Sequence, residues 1–236
     1  MSSLPLTLII GNKNYSSWSM RPWVLMKQFD IVFDEIMLKF GSAEWAANIV
    51  RLSHSRLVPV LWQGKPGEKQ GTAAWDTLAI IETLAELFPE KAIWPRHAAA
   101  RVMARSISAE MHAGFRALRQ AMPMNIRARH PGKGMNEDVA RDIARIEHNW
   151  KTAREHYGQN GPFLFGELSA ADAMYAPVVM RLMTYAPPLS ALSQAYCEAM
   201  QTSVGVAAWV AEARKETEFV AEDEPYSGSP GTAPTP

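Results

Sequence analysis

The sequence predicts an α/β domain followed by an all-helical domain, and three observations carry that prediction. Up to residue 89 short β-like runs alternate with helical periods, whereas everything after about residue 97 repeats apolar residues at helical spacing. The chain's 236 residues exceed the ~150 that one domain ordinarily takes, which suits two linked small domains. Hydrophobic residues make up 47% and charged residues 20%, a globular balance that excludes wholesale disorder, collagen-like repeats and a disulfide-stapled miniprotein.

Leu6-Thr7-Leu8-Ile9-Ile10 is a short apolar run closed by Gly11 and Asn12, and Ile31 to Leu38 is a second run of β-formers. Between them Pro22, Met26 and Phe29 recur at spacings of four and three, one face of a helix that starts near Ser17 to Ser19. Pro22 is then expected in or beside the first turn, where a missing N–H costs little. A short helix follows. Val58 to Trp62 and Thr72 to Trp75 read as adjacent strands joined by the polar, Gly-rich segment Gly64 to Gly71, a hairpin with an enlarged loop. Leu78, Ile81, Leu84, Ala85 and Phe88 then predict a helix that stops at Pro89.

From about Ala98 to Arg127, Ile107, Met111, Phe115, Leu118 and Met122 step along one face, which predicts a single long amphipathic helix. Val139, Ile143, Ile146, Trp150, Ala153 and Tyr157 repeat the pattern until Gly158. Ser169-Ala170-Ala171-Asp172 has capping-box spacing, with Asp in place of the usual Glu or Gln, so a helix starts near Ala170. Further helices are expected from about Leu189 to Gln201 and from Val204 to Thr217, and the Pro-, Gly- and Ser-rich end from Pro225 to Pro236 is expected to be mobile.

Lys plus Arg number 24 and Asp plus Glu 24, so no bulk field draws in nucleic acid or an anionic membrane. The single cysteine, Cys197, allows no disulfide within the chain, no thiolate metal cage and no Cys-x-x-Cys pair, and it reads as a buried small hydrophobe. The six histidines show no metal-ligand spacing, and no metal is expected. The first residues lack a basic n-region and an apolar h-region. The most apolar later stretch, Ala170 to Leu192, is broken by Asp172, Arg181 and Pro187-Pro188, so no bilayer span is expected. These features together predict a cytoplasmic protein.

Two segments are candidates for chemistry. In Asn14-Tyr15-Ser16-Ser17-Trp18-Ser19-Met20-Arg21 three hydroxyls crowd a strand end and a helix start. One serine suffices as a cap. The others face a helix N-terminus whose free N–H groups and partial positive charge favour an anion, whether thiolate, carboxylate or phosphate. In the second segment, Val58-Pro59 combines with Trp75-Asp76-Thr77. Pro59 belongs at a strand start, an edge or a cis turn. Asp76 and Thr77 are either an ordinary cap and first-turn residue, or a receptor in which Asp76 holds an ammonium and Thr77 with nearby N–H groups holds the adjacent carboxylate.

Ser16-Ser17-Trp18-Ser19, Val58-Pro59-Val60-Leu61, Asp76-Thr77-Leu78-Ala79-Ile80-Ile81 and Ser169-Ala170-Ala171-Asp172 follow in an order and spacing that resembles cytosolic glutathione S-transferases. The Ser-Ser-x-Ser stretch looks closest to bacterial, Ser-type members related to the zeta class. The resemblance spans roughly residues 6 to 215. It implies a thioredoxin-like domain over 1–89, a linker over 90–96, a C-terminal helical bundle over 97–222, a mobile tail over 223–236, and a homodimer. It implies glutathione as co-substrate, with Ser16 donating to the sulfur and Ser17 as its understudy. Val58 would supply backbone hydrogen bonds ahead of a cis Pro59, Asp76 and Thr77 would grip the γ-glutamyl end, and Arg56 or Lys39 would pair with the glycyl carboxylate. Trp18, His112, Phe115 and Arg116 are candidates for the wall facing a small hydrophobic or acidic electrophile, together with Met111, Arg119 and Met124. Met111 and Phe115 lie on the apolar stripe and read as core, while His112 and Arg116 lie off it. Asp172 belongs to a folding element. The implied activity is a glutathione transferase. The alternatives are a zeta-like cis-trans isomerase of the maleylacetoacetate type and a glutathione-fold protein that binds without catalysis.

Overall fold

A computed structural model describes residues 4–227. Strand β1 (Leu6–Ile10) leads through helix α1 (Ser17–Gln28) to β2 (Asp34–Met37), which lies parallel to it with Ile9 opposite Ile36. Helix α2 (Ala43–Leu52) precedes the hairpin of β3 (Val60–Gln63) and β4 (Thr72–Ala74), and α3 (Thr77–Leu87) closes the unit. The strand order is β2-β1-β3-β4, with β3 antiparallel to both β1 and β4. This is the expected thioredoxin-like arrangement. Because β1 is central and covered on both faces, it reads as an unbroken apolar run. Leu8 and Ile10 pack toward Trp23, Val24 and Ile81, whereas Ile9 joins Val60, Trp62, Ile49 and Leu52 under α2.

The remaining helices are α4 (Ala98–Ala113), α5 (Arg116–Ala121), α6 (Glu137–Tyr157), α7 (Ala170–Tyr185), α8 (Ala191–Thr202) and α9 (Val204–Ala213). Every residue of α7 except Met183 is buried, and α1 packs against both α7 and α9, which joins the two halves. Within the capping box, Asp172 accepts from the Ser169 N–H at 2.8 Å and from the Leu164 N–H at 3.0 Å.

Three expectations are corrected. The long helix over 98–127 is two helices. Gly114 caps α4 and Phe115 turns left-handed, with φ 57°, to start α5. The Leu118 N–H is then capped by the Asp142 carboxylate across the bundle at 3.0 Å. Periodicity continued through the break because Phe115, Leu118 and Met122 all return to the same core. Pro22 stands beyond the first turn of α1, where it deprives the Trp18 carbonyl of its i+4 donor. The expected tail begins with packed residues. The Tyr226 hydroxyl donates to the Ala121 carbonyl at 2.8 Å, and its ring meets Tyr185 and His130. Residues 228–236, the rest of the tail expected to be mobile, lie outside the described residues. Cys197 is buried, and burial pushes its thiol up to about 12. No described helix is long and apolar enough to cross a membrane.

Candidate functional site

The turn after β1 brings the serines to the N-terminus of α1. Ser16 is the cap, with its Oγ accepting from the Ser19 N–H at 3.4 Å and donating to Ser19 Oγ at 2.7 Å. Ser19 Oγ also accepts from the Gly11 N–H at 3.1 Å. Ser16, expected to face a ligand, therefore has its hydroxyl engaged within the cap. Ser17 differs. Its Oγ accepts from Arg181 Nη2 at 3.3 Å, which leaves the hydroxyl proton to another acceptor. No acidic side chain occupies the first turn of α1.

On the second wall the Val58–Pro59 peptide is cis, at the entry to β3. Asp76 caps α3, with Oδ1 accepting from the Thr77 N–H and Oδ2 lying 3.4 Å from His112 Nε2. The Thr77 hydroxyl is buried and has no partner, and the same holds for His112 Nδ1 and Arg21 Nη1. Buried polar atoms are nearly always satisfied, and these three are among eight such orphans in the described residues. Burial lowers the His112 pKa. Asp76 opposes that effect, while Arg21 and Arg119 add to it.

Trp18 is the hub of the cleft. Its ring has the Arg21 guanidinium at 4.4 Å, the Arg119 guanidinium at 4.7 Å and the His112 ring edge-on at 5.2 Å. Trp18 and His112, candidates for the electrophile wall, thus lie beside Asp76, the candidate for the γ-glutamyl end. Met111, Phe115 and Met124 are buried in the core. Of the two arginines named as wall candidates, Arg116 is exposed and Arg119 stacks on Trp18. Arg56 is exposed with a left-handed backbone, φ 59°. Lys39, the other candidate for the glycyl carboxylate, is half-exposed and paired with Glu218.

Arg181 and the C-terminal segment were not assigned to the site from sequence. Arg181 carries a signal, as a lone arginine in the apolar run of a helix that proves buried at every residue but Met183. The segment carries none in its composition. Its Glu216 accepts from the backbone N–H groups of Lys13 at 2.6 Å and Asn14 at 3.1 Å. The Tyr15 hydroxyl meets the Glu224 carboxylate at 2.6 Å. The strap therefore fixes the turn that presents Ser16 and Ser17.

Residues 136–212, spanning α6 to α9, match the family described as Glutathione S-transferase, C-terminal domain. No curated protein matches the chain. Among solved structures, a glutathione transferase homolog from Burkholderia with bound glutathione superposes with a TM-score of 0.66 at 21% identity, covering 90% of this chain and 100% of that one. Glutathione transferase Omega 1C from Trametes versicolor gives 0.67 at 15% identity, covering 90% and 94%. Yeast Ure2p in complex with glutathione gives 0.65 at 16%, covering 89% and 96%. Identities this low establish a shared fold, and transferases share it with a protein described by its role in nitrogen regulation.

Proposed function

We propose that the protein is a glutathione-dependent transferase that adds the glutathione thiol to a small electrophile. The γ-glutamyl end is held by Asp76 and by the unpartnered Thr77 hydroxyl, and the cysteinyl backbone by Val58 beside cis Pro59. Arg56 is the remaining cation for the glycyl carboxylate, since Lys39 is paired with Glu218. The sulfur sits at the α1 N-terminus against the Ser16–Ser17 pair. The observation that carries the reading is the contrast within that pair. Ser16 is engaged as the cap, while Ser17 accepts from Arg181 and keeps its proton to donate.

The energetics suit a hydroxyl without a separate base. A free cysteine-like thiol has a pKa near ~8.5, and lowering it by about two units takes ~2.7 kcal/mol of selective thiolate stabilisation. One hydrogen bond to a charged group gives roughly 1.5–3 kcal/mol. A helix N-terminus adds ~0.3–1 kcal/mol. A cytoplasmic homodimer belongs to the same reading. Leu57 and Trp75, apolar and exposed next to the Val58 and Asp76 wall, support the second copy.

The test is a pH titration of thiolate ultraviolet absorbance for glutathione bound to the protein, against glutathione alone. A bound-thiol pKa well below the free value is expected. Saturable binding with no shift would instead make the protein a carrier, and absence of binding would sink the reading altogether.

A further inference from the structure

Around Trp18 and Ser17 positive charge is in excess: the nearby Asp76 carboxylate favours the charged forms of Arg21 and Arg119 but forms an ion pair with neither. Arg21 is 1% exposed; its Nε donates to the Met174 carbonyl at 3.1 Å and its Nη1 has no partner. Arg181 is also buried, and its contacts are carbonyls and the Ser17 hydroxyl. Arg119, half-buried at the mouth, donates from one amino group to the carbonyls of Met111 and His112. Among the described residues none of these three arginines is in an ion pair with a carboxylate. The Asp76 carboxylate is already engaged by the Thr77 N–H and His112. Stacking on Trp18 and the charge of Asp76 offset part of the cost of burying the guanidinium groups, but neither gives Arg21 Nη1 an acceptor.

We propose that Arg21 and Arg119 form an anion subsite for the second substrate, an acceptor with a carboxylate on an apolar body that lies against Trp18. The forked donors of a guanidinium match a carboxylate, and two of them converge on one indole ring. Arg119 and His112 belong to the helical half, whereas the residues assigned to glutathione belong to the first half, so the subsite faces the acceptor. Arg119 is half-buried and Arg21 fully buried, so the orphaned Arg21 donor is the deeper of the two. This rests on the proposed function only in placing an acceptor in the cleft.

Two glutathione conjugates of equal chain length isolate the charge: S-hexylglutathione and S-(5-carboxypentyl)glutathione, measured by calorimetry. The protein is expected to prefer the carboxylate conjugate by about tenfold or more. Arg119→Gln is expected to abolish that preference while leaving the affinity for S-hexylglutathione unchanged, and Arg119→Lys to restore part of it. A free acid gives a readout independent of glutathione. Hexanoate is expected to shift the Trp18 indole N–H resonance, identified with Trp18→Phe, and Arg119→Gln is expected to remove the shift. Failure of both conjugates with the hexanoate shift intact defeats the glutathione reading and upholds the subsite. Equal affinity for the two conjugates, or no hexanoate response, overturns the subsite. A raised thiol pKa in Arg119→Gln with the preference intact also overturns it, because the cluster would then serve the thiolate.

Discussion

The N-termini of α1 and α7 use nearly the same residues to opposite ends. At α7, Ser169 and Asp172 close completely. The Asp172 carboxylate accepts from two backbone N–H groups, from the Ser169 hydroxyl at 3.1 Å and from the Tyr196 hydroxyl at 3.0 Å. At α1, Ser16 and Ser19 close on each other, but Ser17 stands beside a guanidinium, and the first turn has no acid. One terminus is saturated within the fold. The other keeps donors and positive charge in surplus, the condition for meeting an anion from outside. A serine-rich helix start is therefore functional only where the fold fails to satisfy it.

Removing the saturated cap tests the contrast most severely. Asp172→Ala leaves buried groups on Leu164, Ser169 and Tyr196 without their acceptor, and each such orphan costs ~1–3 kcal/mol. A loss of about 3 kcal/mol or more in urea unfolding is expected, with glutathione affinity per folded molecule unchanged. A mild loss, or one matched by lost affinity, would erase the distinction between the two termini.

Next in size is Ser17→Ala. The bound-thiol pKa is expected to rise toward the free value of ~8.5, and turnover to fall by about 10²-fold, as removal of one charge-assisted hydrogen bond allows. Binding is expected to be largely kept. Ser16→Ala is the sharper control, because loss of a cap costs ~1 kcal/mol of stability and is expected to leave the thiol pKa in place. If the two variants exchange these phenotypes, the thiol donor is Ser16 and the hydrogen bonds seen here rearrange when the ligand enters.

Much of this was legible in the sequence. The order of strands and helices followed from period and punctuation, since Leu6–Ile10, the Gly64 to Gly71 loop and the Ser169 box are local signals. Asp76 as the cap of α3 was legible for the same reason, whereas the residues left Pro59 open between an edge, a strand start and a cis turn, and only the resemblance implied cis. The break at Gly114 was hidden because burial kept its period across a change of direction. Arg119 was among the wall candidates, but Arg21 and Arg181 were hidden more deeply. Arg21, Arg119 and Arg181 belong to three different helices, and their convergence on Trp18 and Ser17 is a product of packing with no counterpart in spacing.

The smallest expected effect concerns the wall that joins the two halves. His112 faces Asp76 and Trp18, and burial with the nearby Arg21 and Arg119 holds its pKa below the ordinary ~6.5 in spite of Asp76. The folded protein thus resists a proton that the unfolded chain accepts. Its contribution to stability is present above the unfolded pKa and is lost as pH falls through the folded one. His112→Asn is expected to flatten the stability profile between those two pH values and to leave it unchanged at pH 8. Asp76→Asn removes the one opposing carboxylate, so the His112 resonance is expected to titrate lower still. A His112 that titrates above its ordinary value would mean that Asp76 outweighs the arginines, and the surplus of positive charge on which the comparison of the two helix termini depends would not exist.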